Sequence, residues 1–424
     1  MANKWRKAAL SELTVNHDGK RKPVKGSDRR PGPYPYYGAS GVVDYVDGYL
    51  FDGDYLLIAE DGENLRTRRT PIAFMARGKS WVNNHAHIVT GNDKADTRFL
   101  MYAVEGTDIS GYLTGAVMPK LTQGNLNKIE LECPPLIEQH AIAHILGTLD
   151  DKIELNRKQN ETLEAMASAL FKAWFVDFEP VRAKLEGRWQ RGQCLPGLPA
   201  HLYELFPDRL VESDLGEIPE GWEISTLGAV CTYLNRGISP KYIGLGGVSV
   251  LNQKCIRDFS IDFSKARRHD AEQKKVDGRA LELGDVLVNS TGVGTLGRVA
   301  QVRRLKETTI VDSHVTVVRS GSRINPMFLG CFMSMKQSEI EAMGEGSTGQ
   351  TELSRTKLGE LKILLPTPGV LERFSSHTKT FSENIAANQE NSETLAQLRD
   401  ALLPKLISGE LRFPNAERIV GVAV

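Results

Sequence analysis

Gly292-Val-Gly294-Thr-Leu-Gly297 is one stretch whose residue types and spacing could do chemistry. A G-x-G-x-x-G loop after a strand can cradle a pyrophosphate, provided a helix comes next so that its N-terminal amides meet the phosphates. The residues after it are Arg298-Val-Ala-Gln-Val302, a strand-like run, so a close-approach β-turn is expected instead. His140-Ala-Ile-Ala-His144 would set two imidazoles one helical turn apart, as a metal pair needs. The glutamate of an HExxH site is missing, and a surface or partner-facing role is expected. His85 and His314 occupy matching places in strand-like runs, but a catalytic histidine needs a nucleophile that neither run supplies. A core or turn hydrogen bond is the expected job of each.

Other catalytic signatures are missing too. No GxxxxGK[ST] phosphate loop occurs, Cys133-Pro-Pro-Leu136 is not the Asn/Asp-Pro-Pro-Tyr/Phe motif of amino-methyltransferases, and no nuclease carboxylate set is visible. The sequence therefore reads as a binding protein without a reaction of its own. Five scattered cysteines, never in a CxxC pair, fit reduced thiols better than a disulfide framework or a zinc site. The opening MANKWRKAALSEL lacks the apolar core of a secretory signal, and no uninterrupted apolar run is long enough to span a membrane. A cytoplasmic protein without a membrane partner is expected. With 53 basic against 53 acidic residues, bulk charge is silent about nucleic acid, so only local charge can speak. A length of 424 residues allows about three domains.

The elements that must position these residues are written twice. Glu161-Thr-Leu163 returns as Glu393-Thr-Leu395, 232 positions on. At that offset Leu121 falls on Leu353, Pro134 on Pro366, Ile153 on Ile385, Asn156 on Asn388 and Leu170 on Leu402, without a gap. Upstream the echo persists at slightly different offsets: WVNNHAHIV (81–89) over IVDSHVTVV (310–318), and NKWRKAAL (3–10) over EGWEISTL (220–227). Between these anchors the halves share almost nothing. Each copy is thus a variable β-rich part followed by a constant helical part. Short runs such as YLLIA (55–59), IAFMA (72–76), HIVTG (87–91), GDVLVNS (284–290), RVAQV (298–302) and SHVTVV (313–318) read as strands. Residues 136–176 and 370–407 read as helices entered through prolines. The Pro- and Gly-rich stretch 177–221 reads as a linker.

Within the first helix, Ile142, Leu146, Leu149, Ile153, Asn156, Asn160, Leu163, Ala167, Leu170 and Trp174 form a heptad seam with two asparagines at its middle. The second seam, Phe374, Thr378, Phe381, Ile385, Asn388, Ser392, Leu395, Arg399, Leu402 and Leu406, is weaker but has its polar centre at the same steps. Two related helices with one stripe each most simply pair with each other, placing Asn156 and Asn388 near the midpoint of an antiparallel pair. The other arrangement packs each helix on its own β-rich domain, with the asparagines in water. A helix of about 30 residues would span roughly 45 Å. Pro404 is expected to stop or bend the second helix near Leu403.

Several segments together carry a family resemblance: PPLIEQHAIAHILGTLDDKIELNRKQNETLEAMASALFKAWF (134–175) with its echo at 366–407, LGEIPEGWEISTLG (215–228), GDVLVNSTGVGTLGRVAQV (284–302) and YPYYGASGVVDYVDGYLFDGDYLLIAEDG (34–62). The chain resembles the DNA-specificity subunit of a type I restriction-modification enzyme. That resemblance implies an α+β fold with two β-rich target-recognition domains, separated by two long antiparallel coiled-coil helices in a pseudo-twofold internal repeat. The implied parts are 1–133 and 222–365 as recognition domains, 134–176 and 366–412 as the family's helical spacers, 177–221 as linker and 413–424 as tail. It further implies a non-catalytic adapter reading one half of a bipartite double-stranded DNA site with each domain. Two methyltransferase subunits and the restriction/translocase subunits are the implied partners. S-adenosylmethionine, ATP and Mg²⁺ would belong to those partners, with no cofactor or metal in this chain.

Reading DNA needs cations for phosphates and planar polar groups for base edges. Candidates in the first half are Lys20, Arg21, Lys22, Lys25, Arg29 and Arg30, the aromatics Tyr34 and Tyr37, and Arg66, Arg68 and Arg69. In the second half they are Arg236, Lys241, Tyr242, Asn252, Gln253, Lys254 and Arg257, with Thr291, Thr295 and Arg298 around the glycine loop. Gln123 and Asn125, before the first helix, correspond to Thr348 and Gln350, before the second. The helix-pairing seam is carried by Leu149, Ile153, Asn156, Leu163 and Leu170 against Phe381, Ile385, Asn388, Leu395 and Leu402. Two rival readings stay open on sequence alone: a coiled-coil scaffold that assembles other proteins, and a nucleotide-dependent enzyme built on residues 292–297.

Overall fold

The computed structural model describes residues 5–346, 351–413 and 416–421. The chain divides into two compact units, one of residues 1–155 with 391–424 and the other of residues 156–390.

In the first unit a four-stranded antiparallel sheet runs in the order Thr14–Asn16, Ala86–Gly91, Tyr55–Ala59, Ala73–Ala76. Its central strand YLLIA is buried on both faces because side chains alternate across a sheet. Leu56 and Ile58 join the core under helix Thr97–Gly106, while Leu57 joins Phe51, Val82 and Ile88 on the opposite side. That opposite side carries a second, three-stranded sheet in the order Gly41–Val46, Pro31–Gly38, Trp81–Val82, the last pair parallel. The helix begins at Asp96, whose side chain accepts the Phe99 amide at 2.7 Å. Strands Arg6–Ala9 and Glu130–Cys133 pair antiparallel and close the unit just before the first long helix.

The second unit repeats that plan. Its four-stranded sheet runs Cys231–Arg236, Val315–Ser320, Val286–Asn289, Val299–Gln301. Val286 and Val288 face one core, Leu287 the other. A second sheet again ends in a parallel pair, Val248–Leu251 with Thr309–Val311. Helix Pro326–Met335 is capped by Asn325, which accepts the Phe328 amide at 2.8 Å. Glu223–Thr226 and Lys362–Leu365 form the closing pair. Six of the expected strand runs are strands in these two four-stranded sheets.

The long helices are Leu136–Phe175 and Pro368–Ile407, 40 residues each, so about 60 Å at 1.5 Å per residue. Their bounds fall within two residues of the helices expected over 136–176 and 370–407, and their ends run into the cores. In the first unit Ile142 and Leu146 share a core with Leu406 and Ile407, and Asp150 accepts from Arg399 at 2.8 Å. In the second unit Asn156 donates from Nδ2 to the Asn388 carbonyl at 3.4 Å, and Asn388 Nδ2 donates to Asn160 Oδ1 at 2.9 Å. Further along, Phe171 meets Phe374 edge-on at 5.8 Å. Numbers rise along one helix as they fall along the other, so the pair is antiparallel. Of the two alternatives read from the sequence the paired one holds, and the asparagines bond across the pair instead of facing water; the helix ends pack on the β-rich cores as well. Every seam position of both series is buried or half-buried.

Two expectations are corrected. Of the stop or bend expected at Pro404, the stop does not occur; the helix continues to Ile407. Leu406 is fully buried and Ile407 nearly so, and burying two such side chains, at about 1.5–3 kcal/mol each, offsets the roughly 3 kcal/mol cost of an interior proline. The stretch 177–221 is more than a tether. Phe178, with φ of +52°, breaks the first long helix, and helix Glu179–Leu185 follows. Val181, Trp189, Leu202 and Phe206 are buried in the core of the second unit.

Replacing Asn156 and Asn388 together by leucine is expected to raise the melting temperature and loosen helix register, because an apolar pair avoids the desolvation of buried amides. Calorimetry with cysteine cross-linking across the pair measures both. A lower melting temperature would mean that the amide bonds outweigh the burial of two leucines.

Candidate nucleic-acid interface

In each unit the same end of the four-stranded sheet gathers loops. In the first unit the Glu60 amide donates to the His85 carbonyl at 2.9 Å; in the second the Ser290 amide donates to the His314 carbonyl at 2.8 Å. The loops leaving this end carry many of the candidate polar residues, and the structure sorts them by what they touch.

Arg21 is held inside the first unit. It donates to Glu60 Oε2 at 2.6 Å and to the Ala86 carbonyl at 3.0 Å, and lies 3.4 Å from Asp18 Oδ2. Asp18 also binds the buried His87 at 2.6 Å, and Lys120 reaches Glu60 at 3.2 Å. Burial alone would raise the Asp18 and Glu60 carboxyls, but His87 and the main-chain amide of Ile88 at Asp18, and Arg21 at Glu60, outweigh it. Both are held below their ordinary values, so their stabilising contribution is present above about pH 4 and is lost as pH falls through the folded values. Arg29 folds over Tyr36, 4.3 Å from its centroid, and pairs with Asp44 at 3.1 Å. Arg68, at φ of +48°, donates to the Glu105 and Thr107 carbonyls, and Arg66 clasps Gly115 at 2.9 Å. Tyr34 and Tyr37 are half-buried against Tyr49 and Phe74, burial raising the Tyr37 phenol. Asn125 donates to the Tyr112 carbonyl at 2.8 Å. Lys20, Lys22, Lys25, Arg30, Arg69 and Gln123 are exposed.

In the second unit, Arg236 pairs with Glu352 and donates to the Leu353 carbonyl at 2.7 Å. Gln253 Oε1 accepts from Thr291 at 3.2 Å, and Thr291 Oγ1 lies 2.8 Å from His314 Nδ1. Asn252 caps the turn at Lys254, accepting its amide at 2.9 Å. Thr295 donates to the Thr291 carbonyl and Arg298 to that of Gly294. These side chains cluster around one loop. Lys241, Lys254 and Arg257 are exposed, and Arg267 stacks on Tyr242 at 3.3 Å. Thr348 and Gln350 lie outside the described residues.

The glycine loop is a hairpin between Val286–Asn289 and Val299–Gln301, with Gly292, Gly294 and Gly297 all at positive φ. A Cβ on Gly297 would meet Glu341 at 2.5 Å, which explains the glycine without a ligand. A strand follows where a dinucleotide site needs a helix, so the nucleotide-enzyme reading loses its structural basis. His140 Nε2 sits 3.8 Å from Asp96, and His144 is exposed. No group of His, Cys, Asp and Glu suited to a metal occurs among the described residues.

Known proteins share both the sequence pattern and the fold. Residues 3–165 match the family model of the type I restriction modification DNA specificity domain. The type I restriction enzyme MjaIX specificity subunit of Methanocaldococcus jannaschii is 28% identical over 440 residues, covering 96% of this chain and 94% of that one. Over nearly its whole length the chain is similar to type I specificity subunits. A putative type I specificity subunit of Haemophilus influenzae is 40% identical over 144 residues, 33% of this chain and 36% of its own. A crystal structure of the type I restriction-modification S subunit from M. genitalium aligns over 96% of this chain and 97% of that one, with a TM-score of 0.57 at 16% identity. That likeness establishes the fold.

Sequence reasoning missed the network of Asp18, His87, Glu60, Arg21 and Lys120, which runs from the buried Asp18–His87 pair to the surface and whose members lie up to 102 positions apart. It also missed Arg98, which crosses the first long helix at Gly147 and binds Asp151 at 2.8 Å; a Cβ there would meet the guanidinium at 2.4 Å. A glycine inside a helix was the available signal. Arg21→Ala is expected to destabilise the chain by about 2 kcal/mol, because it removes the cation shared by Asp18 and Glu60 and leaves them to His87 and Lys120 alone. Lys22→Ala and Lys25→Ala should stay within about 0.5 kcal/mol. Denaturant unfolding measures all three, and equal small effects would show that the network is not structural.

Proposed function

We propose that the chain is the non-catalytic DNA-reading subunit of a type I restriction-modification complex. Residues 1–133 and 222–365 act as target-recognition domains, each reading one half of a bipartite site. Residues 134–176 and 366–412 form the spacer that sets half-site separation and docks two methyltransferase subunits; 177–221 joins the two recognition domains and 413–424 is the tail. S-adenosylmethionine, ATP and Mg²⁺ act in the methyltransferase and restriction/translocase partners, in the cytoplasm. No helix among the described residues is long and apolar enough to cross a membrane.

The observation that carries this reading is the duplication: one sheet order, one helix cap and one closing strand pair, twice, with unlike loops at the sheet end. A repeated frame with dissimilar loops suits two readers of dissimilar sequences. Exposed cations such as Lys20, Lys22, Lys25 and Arg69, and Lys241, Lys254 and Arg257, can meet phosphates, while Asn252, Gln253 and Gln123 carry amides able to pair with base edges. Half-sites one helical turn apart are about 34–36 Å between centres, within reach of helices of about 60 Å.

Exchanging residues 222–365 for those of a related subunit should change one half of the methylated sequence only, as read by methylome sequencing. Changes in both halves would refute modular reading. Seven residues inserted after Asn156 and seven more after Asn388 lengthen the pair by about 10 Å, roughly three base pairs, so the gap between half-sites should widen accordingly. An unchanged gap would remove the spacer from the mechanism.

A further inference from the structure

His85 and His314 have no part in the function proposed above, and they are the same feature built twice. In each unit the histidine follows an Asx turn: Asn83 Oδ1 accepts the His85 amide at 2.7 Å, and Asp312 Oδ1 accepts that of His314 at 2.9 Å. In each, the histidine carbonyl is held by the amide at the end of the adjacent central strand, Glu60 or Ser290. In each, Nδ1 is engaged by the side chain one residue further on, Asp61 Oδ2 at 2.8 Å or Thr291 Oγ1 at 2.8 Å. Both rings are exposed, and neither Nε2 has a hydrogen-bond partner among the described residues. Four positions are thus matched in placement around a ring that faces water and supports no core.

We propose that His85 and His314 are matched phosphate contacts, each donating from Nε2 to the DNA backbone of its own half-site. This rests on the DNA-reading function proposed above. Symmetry limits what such a pair can do. Two domains whose variable parts differ, and which read different sequences, cannot use one shared residue to tell those sequences apart. What any two half-sites share is the sugar-phosphate backbone. A ring clamped at Nδ1 and at its own amide and carbonyl has few rotamers to lose on binding, which suits a contact that fixes register. Proton positions agree with donation. At His85 the Nδ1–H donates to the Asp61 carboxylate, so the doubly protonated ring, stabilised between Asp61 and a phosphate, supplies the Nε2–H. At His314 the Thr291 hydroxyl donates to Gln253 Oε1 and so accepts from Nδ1–H; as at His85, it is the ring protonated on both nitrogens that turns an Nε2–H toward a phosphate. Nearby carboxylates that would repel a phosphate are already compensated: Glu60 by Arg21 and Lys120, and Glu352 by Arg236.

The test uses the full chain assembled with its methyltransferase partner, on duplexes carrying the sequence found by methylome sequencing, with affinity measured against salt. Wild-type affinity should fall steeply with the logarithm of salt concentration. His85→Ala and His314→Ala should each weaken binding about tenfold, the size of one charge-assisted hydrogen bond, and flatten the salt slope by about 0.9. The methylated sequence and the melting temperature should not change, and His85→Arg and His314→Arg should restore affinity. Unchanged affinity and slope in the alanine variants, beside a salt-sensitive wild type, would overturn the proposal. So would an altered base preference at one half-site, which would make the ring a base reader. A wild-type complex indifferent to salt would instead sink the DNA-reading function itself.

Discussion

Two helices of 40 residues, each with one apolar stripe, impose the constraint that shapes everything else in this structure. Neither stripe can remain in water, and neither helix is apolar enough all round to be a core by itself. Antiparallel pairing buries both stripes, with the ends absorbed into β-rich cores. The aromatic end, where Phe171, Trp174 and Phe175 surround Phe374, and the aliphatic end, where Leu146 meets Leu406, are chemically unlike. Such unlike ends already disfavour the reversed or slipped alignment. The asparagine contacts between them add a second specification, since a one-turn shift would leave the amide of Asn388 away from Asn160.

Charge is distributed by the same logic of what must stay fixed. Arg21, Arg29, Arg68 and Arg236 lie in the parts that differ between the halves, yet each is committed to carboxylates or carbonyls of its own unit. A buried guanidinium with five donors can organise several loop segments at once, which a solvated lysine cannot. The exposed cations are mainly lysines, and that choice suits contact with phosphate, because a point charge on a flexible stem needs no fixed geometry.

How legible all this is from residue order depends on the range of the interaction. The strands YLLIA and VLVN follow from short apolar runs between turn residues, and both helices and every seam position from helical periodicity, all of them local signals. The helix extension past Pro404 does not, because it depends on the burial of Leu406 and Ile407 by distant partners. Nor does the packing of Trp189 and Phe206, in a stretch whose glycines and prolines read as a tether. The candidate interface was legible as a composition, basic runs and paired amides, but not as a sorting. Only the fold separates Arg21, facing inward, from Lys20 and Lys22 beside it, which face outward.

The repeated frame is held largely by groups that loop sequence does not alter. Backbone pairs join Arg6–Ala9 to Glu130–Cys133 and Glu223–Thr226 to Lys362–Leu365, main-chain amides pin the carbonyls of His85 and His314, and one short side chain caps each of the helices starting at Thr97 and Pro326. A main-chain hydrogen bond is indifferent to the residue that makes it, so loops between such pins can change their length and chemistry with little energetic consequence for the frame. The two halves demonstrate this within one molecule: the hairpin at 290–298 and the arginine-rich loop at 61–72 leave equivalent strands and differ in length and sequence. A sheet end fixed by main-chain bonds and crowned by replaceable loops is a physical basis for changing what the loops recognise while the frame beneath them stays the same.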